Sequence, residues 1–190
     1  MFNISKADRN LSELLRISSF IVNEICEQQF MEEASSIPLS KNQYYILKML
    51  ANSITFNLSD LADILSVSNA AIGKNIDKLV HSKLVTRRFT KTDRRSAKVS
   101  ITPMGRDIIK KYNELKISKQ VEIFKQYTLK DKEKFAEYLK SFIGNTLHKD
   151  MDTDILCLQC TGFCGDDCVV EEKKGTCIRK HQLKGIDNGT

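Results

Sequence analysis

Two short stretches of strand type, residues 84–89 and 97–101, flank a tip that carries five basic side chains. The basic residues are Arg87, Arg88, Lys91, Arg94 and Arg95, and one acid, Asp93, lies among them. A β-hairpin with a cationic tip can bind phosphate groups, because its charges replace the counterions around a nucleic acid. The spacing therefore predicts a hairpin that contacts a nucleic acid.

A second group of residues that could do chemistry is a cysteine cluster near the C-terminus. Five of the six cysteines fall within residues 157–177. They are Cys157, Cys160, Cys164, Cys168 and Cys177. In a cytoplasmic chain such a cluster more often binds a metal than forms a disulfide framework. We therefore expect a small Cys-rich, metal-binding extension.

Four thiolates suit either an iron–sulfur cluster or zinc. Our ligand set is Cys157, Cys160, Cys168 and Cys177, with Cys164 as the alternative ligand because it lies between two glycine turns. The compact cysteine run favours an iron–sulfur cluster, with 4Fe–4S as the candidate type. Zinc is the alternative cofactor, since Cys157-x-x-Cys160-Thr-Gly resembles one zinc knuckle. A thiol–disulfide switch without metal is the third interpretation.

Composition restricts the class of protein. The chain has 190 residues, and residues 68–110 hold eleven Lys or Arg against three acids, more positive charge than the net +6 of the whole chain. We find no apolar run long enough for a membrane span and no signal peptide, so we expect a cytoplasmic protein with no membrane partner. Few prolines and glycines favour a mainly helical fold. No acid–base pair, phosphate-binding glycine loop or activated nucleophile is visible, so we predict no enzyme.

Apolar residues at helical spacing predict four helices in the first half of the chain. They span residues 8–31, 40–52, 57–65 and 69–82. Ser40, Ser59 and Ser68 are the expected N-caps of the last three. Val80 is expected to face inward in the fourth helix.

The third and fourth helices are short and joined by a brief turn, which is a helix-turn-helix arrangement. The fourth helix presents mostly small, polar or basic residues outward, as a helix in a DNA major groove requires. These are Asn69, Ala70, Gly73, Lys74, Asp77 and Lys78. With the basic hairpin that follows, the pattern predicts a winged helix-turn-helix.

Two further helices follow the hairpin. Thr102 is the expected N-cap of one that begins at Pro103 and extends through Phe124. A break at 129–131 precedes a last helix over 132–147. The first and last helices are richer in apolar residues than one small domain needs, which predicts N- and C-terminal dimerisation helices and a homodimer.

Several phrases resemble the MarR family of bacterial transcriptional regulators over about residues 8–147. They are LSDLADILSVS at 58–68, LVHSKLV at 79–85, and TDRRS at 92–96 followed by ITPMG at 101–105. The resemblance implies interlocked terminal helices and two winged lobes on a pseudo-palindromic operator. It also implies that Arg95 enters the minor groove and that Asp93 braces the tip by a salt bridge. A narrow minor groove attracts an inserted guanidinium, which agrees with that role.

The resemblance also implies roles for the other site residues. Arg87, Arg88 and Lys91, with Arg94 beside them at the tip, are the expected phosphate contacts. The fourth helix is the expected recognition helix, and it supplies the candidate contacts with base edges and flanking phosphates. These are Ser68, Asn69, Ala70, Lys74 and Lys78. We place the winged-helix and dimerisation domain at 1–148 and the Cys-rich tail at 149–190.

The sequence thus predicts a dimeric DNA-binding regulator, a repressor in our interpretation, whose cysteine site senses redox or metal state. One alternative keeps this regulator but makes a zinc site structural. A small-molecule effector would then bind in the cleft between the dimerisation helices and the winged lobe. The alternative of another class is a redox or electron-carrier component.

Overall fold

The computed structural model is mainly helical and has one small sheet. It describes residues 4–52, 56–89, 97–147, 151, 156–157 and 168–175. The helices are α1 (Lys6–Phe20), α2 (Glu27–Ala34), α3 (Lys41–Asn52), α4 (Leu58–Ile64), α5 (Asn69–His81), α6 (Pro103–Phe124), α7 (Leu129–Thr146) and α8 (Val169–Lys174). The strands are β1 (Phe56–Asn57), β2 (Val85–Phe89) and β3 (Ala97–Ile101). The expected mainly helical winged fold is confirmed.

The N-terminal helix is longer than predicted and is not uniform. Ser5 caps α1 and forms a capping box with Asp8. A π-helical segment, Ile21–Cys26, joins α1 directly to α2, so the chain is helical without interruption over 6–34. A π turn rotates the residues that follow it relative to a regular helix. The period-based prediction of one regular helix over 8–31 is therefore wrong in this segment.

Local capping signals were predicted well, with one exception. The Ser40 backbone N–H donates to Gln43 Oε1 at 2.9 Å, and Ser68 Oγ accepts from the Ala71 N–H at 3.2 Å. The expected Ser59 cap is wrong, because Asn57 occupies the N-cap position of α4 and forms a capping box with Asp60. Both Asn and Ser can cap a helix, and the strand pairing of Asn57 fixes where the helix begins.

Two further expectations are corrected. Val80 is 38% exposed, because Ile76 and Leu79 already fill the inward positions of that turn. Residues 129–131 are not a break but the first turn of α7. Thr128 caps that turn, since its Oγ1 accepts from the Asp131 backbone N–H at 3.2 Å.

The sheet places the hairpin beside α5. Its three strands lie in the order β1-β3-β2, with both pairs antiparallel. Val85 lies opposite Ile101 and Phe89 opposite Ala97, so the two long strands run in register to the base of the tip. The short strand β1, which the sequence did not predict, pairs with β3 so that Phe56 lies opposite Val99.

The core lies between α3, α4, α5, the sheet and the start of α6. Its largest fully buried side chains include Tyr44, Ile46, Leu47, Leu50, Leu61, Ile72, Ile76, Leu79 and Tyr112. By contrast, most apolar side chains of α1 and α7 are exposed in the single chain. No helix in the described part of the chain has the length and apolar character to cross a membrane.

Candidate nucleic-acid interface

The inner face of α5, the predicted recognition helix, packs in the core, and its outer face is exposed. Ile72, Ile76 and Leu79 are almost fully buried. The five predicted contact residues are all exposed, along the N-terminal and outer part of the helix. They are Ser68, Asn69, Ala70, Lys74 and Lys78. The structure therefore places them together on the exposed side of α5, and their contacts with DNA stay predictions.

The base of the hairpin is tied to the start of α6. Thr102 Oγ1 lies 2.8 Å from the Lys83 carbonyl oxygen and 3.1 Å from that of Leu84, and it accepts from the Gly105 N–H at 3.1 Å. A Cβ at Gly105 would collide with the Leu84 carbonyl oxygen. This close approach explains the glycine at this position, and it ties the first turn of α6 to the residues just before β2.

An ion pair joins the hairpin to the recognition helix. Arg87 Nη1 on β2 lies 3.2 Å from Asp77 Oδ1 on α5. Asp77 is largely exposed and Arg87 is half-buried, so the pair lies at the edge of the surface that α5 presents. Arg87 thus connects the base of the wing to α5, and its contact with phosphate stays a prediction.

Two positive charges face each other across the hairpin. Arg88 on β2 is the register partner of Lys98 on β3, and both side chains are exposed. Like charges directly opposite one another destabilise a strand pair. An arrangement that costs stability locally is typical of a surface built to bind an anion. Lys98 was missed as a site residue, although the alternation along β3 places it outward.

The tip of the wing lies outside the described residues. Lys91, Asp93, Arg94 and Arg95 therefore stay predicted contacts, carried by the two strands that lead to them. Arg88 and Lys98 show that the surface is already positive where these strands approach the tip.

The cysteine segment is described only in part. Cys157 and Cys168 are half-buried, and Cys168 is the N-cap residue of α8. Cys160, Cys164 and Cys177 lie outside the described residues. Within the ranges that the structure covers, no three His, Cys, Asp or Glu side chains form a metal-binding group. The metal ligands thus stay predictions.

A cleft lies where the N-terminal helix meets the start of α3. Its volume is about 210 Å³, and its polar lining includes Glu24, Glu27, Glu32 and Lys41. Lys41 Nζ forms an ion pair of 2.7 Å with Glu24 Oε1 at its edge. The cleft is a candidate for the effector site that the sequence predicts between the dimerisation helices and the winged lobe, and that site stays a prediction.

Next to this cleft a lysine is buried among tyrosines. Lys48 Nζ lies 3.7 Å from Glu27 Oε1 and 5.0 Å from the ring centroid of Tyr44. The ring centroids of Tyr45 and Tyr112 lie 5.2 Å and 5.3 Å away. Burial raises the pKa of Tyr112 to about 12 and that of Tyr44 further still. This cluster joins α2, α3 and α6.

Comparison with known proteins gives the family. A model of the MarR family matches residues 39–97, from the start of α3 through α4, α5 and β2 to the first residue of β3. The chain is 31% identical over 107 residues to the uncharacterised HTH-type transcriptional regulator YpoP of Bacillus subtilis, which covers 56% of this chain and 70% of YpoP.

Solved structures share the fold. RV1404 from Mycobacterium tuberculosis is 23% identical with a TM-score of 0.65, and the match covers 78% of this chain and 99% of RV1404. A variant of MepR from Staphylococcus aureus, bound to an oligodeoxyribonucleotide, is 16% identical with a TM-score of 0.58, over 72% of this chain and 98% of that one. These structures show the fold, and at family level the MarR match agrees with a transcription regulator. The chain belongs to the MarR family of transcription regulators.

Proposed function

We propose that this chain acts as a homodimeric regulator, a repressor in our interpretation, that binds a pseudo-palindromic DNA operator. The observation that supports this most directly is the positive charge exposed on α5 and on the two strands of the wing. Lys74 and Lys78 lie exposed on the helix, and Arg88 faces Lys98 across the hairpin. The structurally similar MepR variant is bound to an oligodeoxyribonucleotide, which agrees with this use of the fold.

We assign two tasks to this surface. The exposed residues at the start of α5 contact base edges in the major groove, because a recognition helix reads bases through its N-terminal residues. Lys78, Arg88 and Lys98 contact phosphates, which position the protein without reading sequence. At the tip, Arg95 enters the minor groove.

The homodimer is supported by apolar side chains that a single chain leaves in water. On α1 they include Leu11, Leu14 and Phe20. On α7, Phe135, Tyr138, Leu139, Phe142 and Ile143 are each at least 39% exposed. Such contiguous apolar surface is rare on a monomer and typical of an interface. A second copy of the chain would bury both faces and set the distance between the two wings.

The wing assignment is tested by Arg95→Ala. We expect operator binding to weaken by about 1–3 kcal/mol, or roughly fivefold to 150-fold, in a gel-shift titration. Lys130→Ala is the matched control, because Lys130 is an exposed cation in the first turn of α7. Near-normal affinity of the Arg95 variant would contradict the wing assignment.

We further propose that Cys157, Cys160, Cys168 and Cys177, with Cys164 as the alternative, hold an iron–sulfur cluster or zinc. Thiolates are the donors that both prefer. When bound, an iron–sulfur cluster would make the segment sensitive to redox state, whereas zinc would hold it together. Support from the described part is that Cys168 begins a helix packed on α7, so the segment reaches a dimerisation helix.

This site is tested by purifying the protein without oxygen and measuring its metal content and visible absorption. Absorption near ~400 nm with matched iron and sulfide would support an iron–sulfur cluster. Cys157→Ser should lose the bound metal, while Cys26→Ser, on the N-terminal helix, should keep it. A protein that binds neither iron nor zinc would contradict the proposal.

The cleft beside α3 favours a second candidate for regulation. If the metal is a structural zinc, a small-molecule effector would bind there, between the N-terminal helix and the winged lobe. Three carboxylates in the lining, those of Glu24, Glu27 and Glu32, favour a cationic molecule over an anionic one. A zinc-bound protein whose operator affinity is unchanged by oxidant would support this candidate.

A further inference from the structure

The short helix α8 lies against the side of α7. Lys140 Nζ forms an ion pair of 2.8 Å with Glu172 Oε2, and this contact holds the pKa of Glu172 below its ordinary value. One turn further along α7, Gly144 is buried. A Cβ built there would lie 2.8 Å from Lys173 Cε and 3.7 Å from Val169 Cγ1. Gly144 is thus a notch in α7 into which α8 fits.

The notch and the dimerisation face lie on opposite sides of α7. Successive residues of an α-helix are about 100° apart, so Lys140 and Gly144, each two residues from Phe142, both point about 160° away from it. Phe142 is central among the exposed apolar residues of α7. A second copy can therefore cover the apolar face while α8 occupies the notch.

Both ends of α8 meet the predicted ligand set. Cys168 is its N-cap, and the Glu172 N–H donates to the Cys168 carbonyl oxygen at 2.9 Å. Gly175, with φ at 72°, ends the helix two residues before Cys177. The six residues of α8 span about 9 Å between these ends. Cys177 lies outside the described residues, and a metal bound by both predicted ligands would hold α8 from its two ends.

We propose that α8 is a docking element that binds the notch at Gly144 and couples the cysteine segment to the dimerisation helix α7. This proposal rests on the proposed function. A metal bound by Cys168 and Cys177 would fix the ends of α8 and favour its docked position. Loss of that metal would release α8, and α7 would lose a packing contact on the side that faces away from the partner subunit. The spacing of the two wings would then change, and an operator tolerates little change in half-site spacing.

The docking is tested by filling the notch in the full chain. Gly144→Leu should displace α8, because the added side chain occupies the space of Val169 and Lys173. Gly144→Ala is the matched control, since the flexible end of Lys173 can move aside for one methyl group. By amide hydrogen exchange of 172–175, whose N–H groups donate within α8, we expect protection to fall at least about tenfold with Leu and to change little with Ala. Unchanged protection in the Leu variant would overturn the docking.

A charge exchange tests the orientation of α8 independently. Lys140→Glu should lower the protection of α8, and the double variant Lys140→Glu with Glu172→Lys should restore it. Because the pair is half-exposed, this effect is smaller than that of Gly144→Leu. A double variant no better protected than Lys140→Glu alone would contradict the pairing of these two helices.

The coupling is tested by operator affinity in two states. One is the protein purified without oxygen, and the other is the same protein after EDTA and ferricyanide remove bound metal. We expect the wild type and Gly144→Ala to change operator affinity between the states, and Gly144→Leu to change it at least about fivefold less. An equal change in the Leu variant would overturn the coupling. Failure of the wild type to bind any operator would instead contradict the proposed function.

Discussion

At the scale of single residues, Lys48 shows how the winged lobe is held to the N-terminal helix. Its side chain is buried, its ammonium pairs with Glu27 on α2, and aromatic rings from α3 and α6 surround it. Tyr45 Oη also donates to Glu27, at 2.9 Å. A buried charge of this kind is tolerated because it has an opposite charge and several ring faces nearby.

Removing one member of this pair should be costly. We expect Lys48→Met to lower the free energy of unfolding by about 3 kcal/mol, because it leaves the Glu27 carboxylate without its cation in a partly dry site. The double variant Lys48→Met with Glu27→Gln should recover most of this loss. Urea unfolding followed by circular dichroism measures both. Equal stability of the single and double variants would contradict a buried ion pair.

The tyrosines beside Lys48 predict how stability depends on pH. Burial raises the folded-state pKa of Tyr112 to about 12 from an ordinary value of 10. The unfolded chain therefore loses the proton first, and stability falls as the pH rises from about 10 towards 12. Below about pH 10 both states are protonated, and this contribution does not change. The double variant Tyr44→Phe with Tyr112→Phe should show a smaller fall, measured as the urea midpoint from pH 9 to 12.

At the scale of elements, the wing depends on the close contact between β2 and the first turn of α6. Gly105→Ala should destabilise the protein by about 2 kcal/mol or more, because its Cβ meets the fixed Leu84 backbone and the Ile101 side chain. Gly73→Ala is the matched comparison with the opposite expected effect on stability, since Gly73 in α5 has open space around it. We expect it to stabilise the protein by about 0.5–1 kcal/mol. Thermal unfolding of the two variants should therefore shift in opposite directions.

The elements also show what the sequence could predict. The caps at Ser40, Ser68 and Thr102 and the two long strands depend on neighbours a few residues away, so local patterns were sufficient. Strand β1 was missed because two residues form a strand only when a distant partner, β3, is already in place. The π segment before Glu27 was missed for the same reason, since it is fixed by packing and not by period.

In the candidate site too, local patterns predicted some features, and others depend on contacts between distant residues. Charge pattern and helix periodicity identified the recognition helix and the basic hairpin. Pairing register was needed to bring Lys98 opposite Arg88 and to join Arg87 to Asp77. The docking of α8 at Gly144 was not predicted either, because a single glycine in a helix pattern does not reveal what packs against it.

At the scale of the whole molecule, the apolar face of α7 should decide whether the chain is a dimer. Phe142→Glu would bury a charge in the interface, so we expect self-association to weaken at least about tenfold. Ser141→Glu is the matched control, because it adds the same charge to the same helix beside the apolar face. Sedimentation analysis should show a monomer only for the Phe142 variant. A dimer as stable as the wild type would contradict the proposed interface.

The most direct test of the central claim is selection from random double-stranded DNA by the purified protein, followed by sequencing of the bound fraction. Two recognition helices on one dimer should select a pseudo-palindrome whose half-sites lie about one helical turn, or a multiple of it, apart. We expect such a motif to be enriched, and the enrichment to be lost with Lys74→Ala and Lys78→Ala together. A bound fraction without any enriched motif, or one that contains only isolated half-sites, would contradict a dimeric DNA-binding regulator.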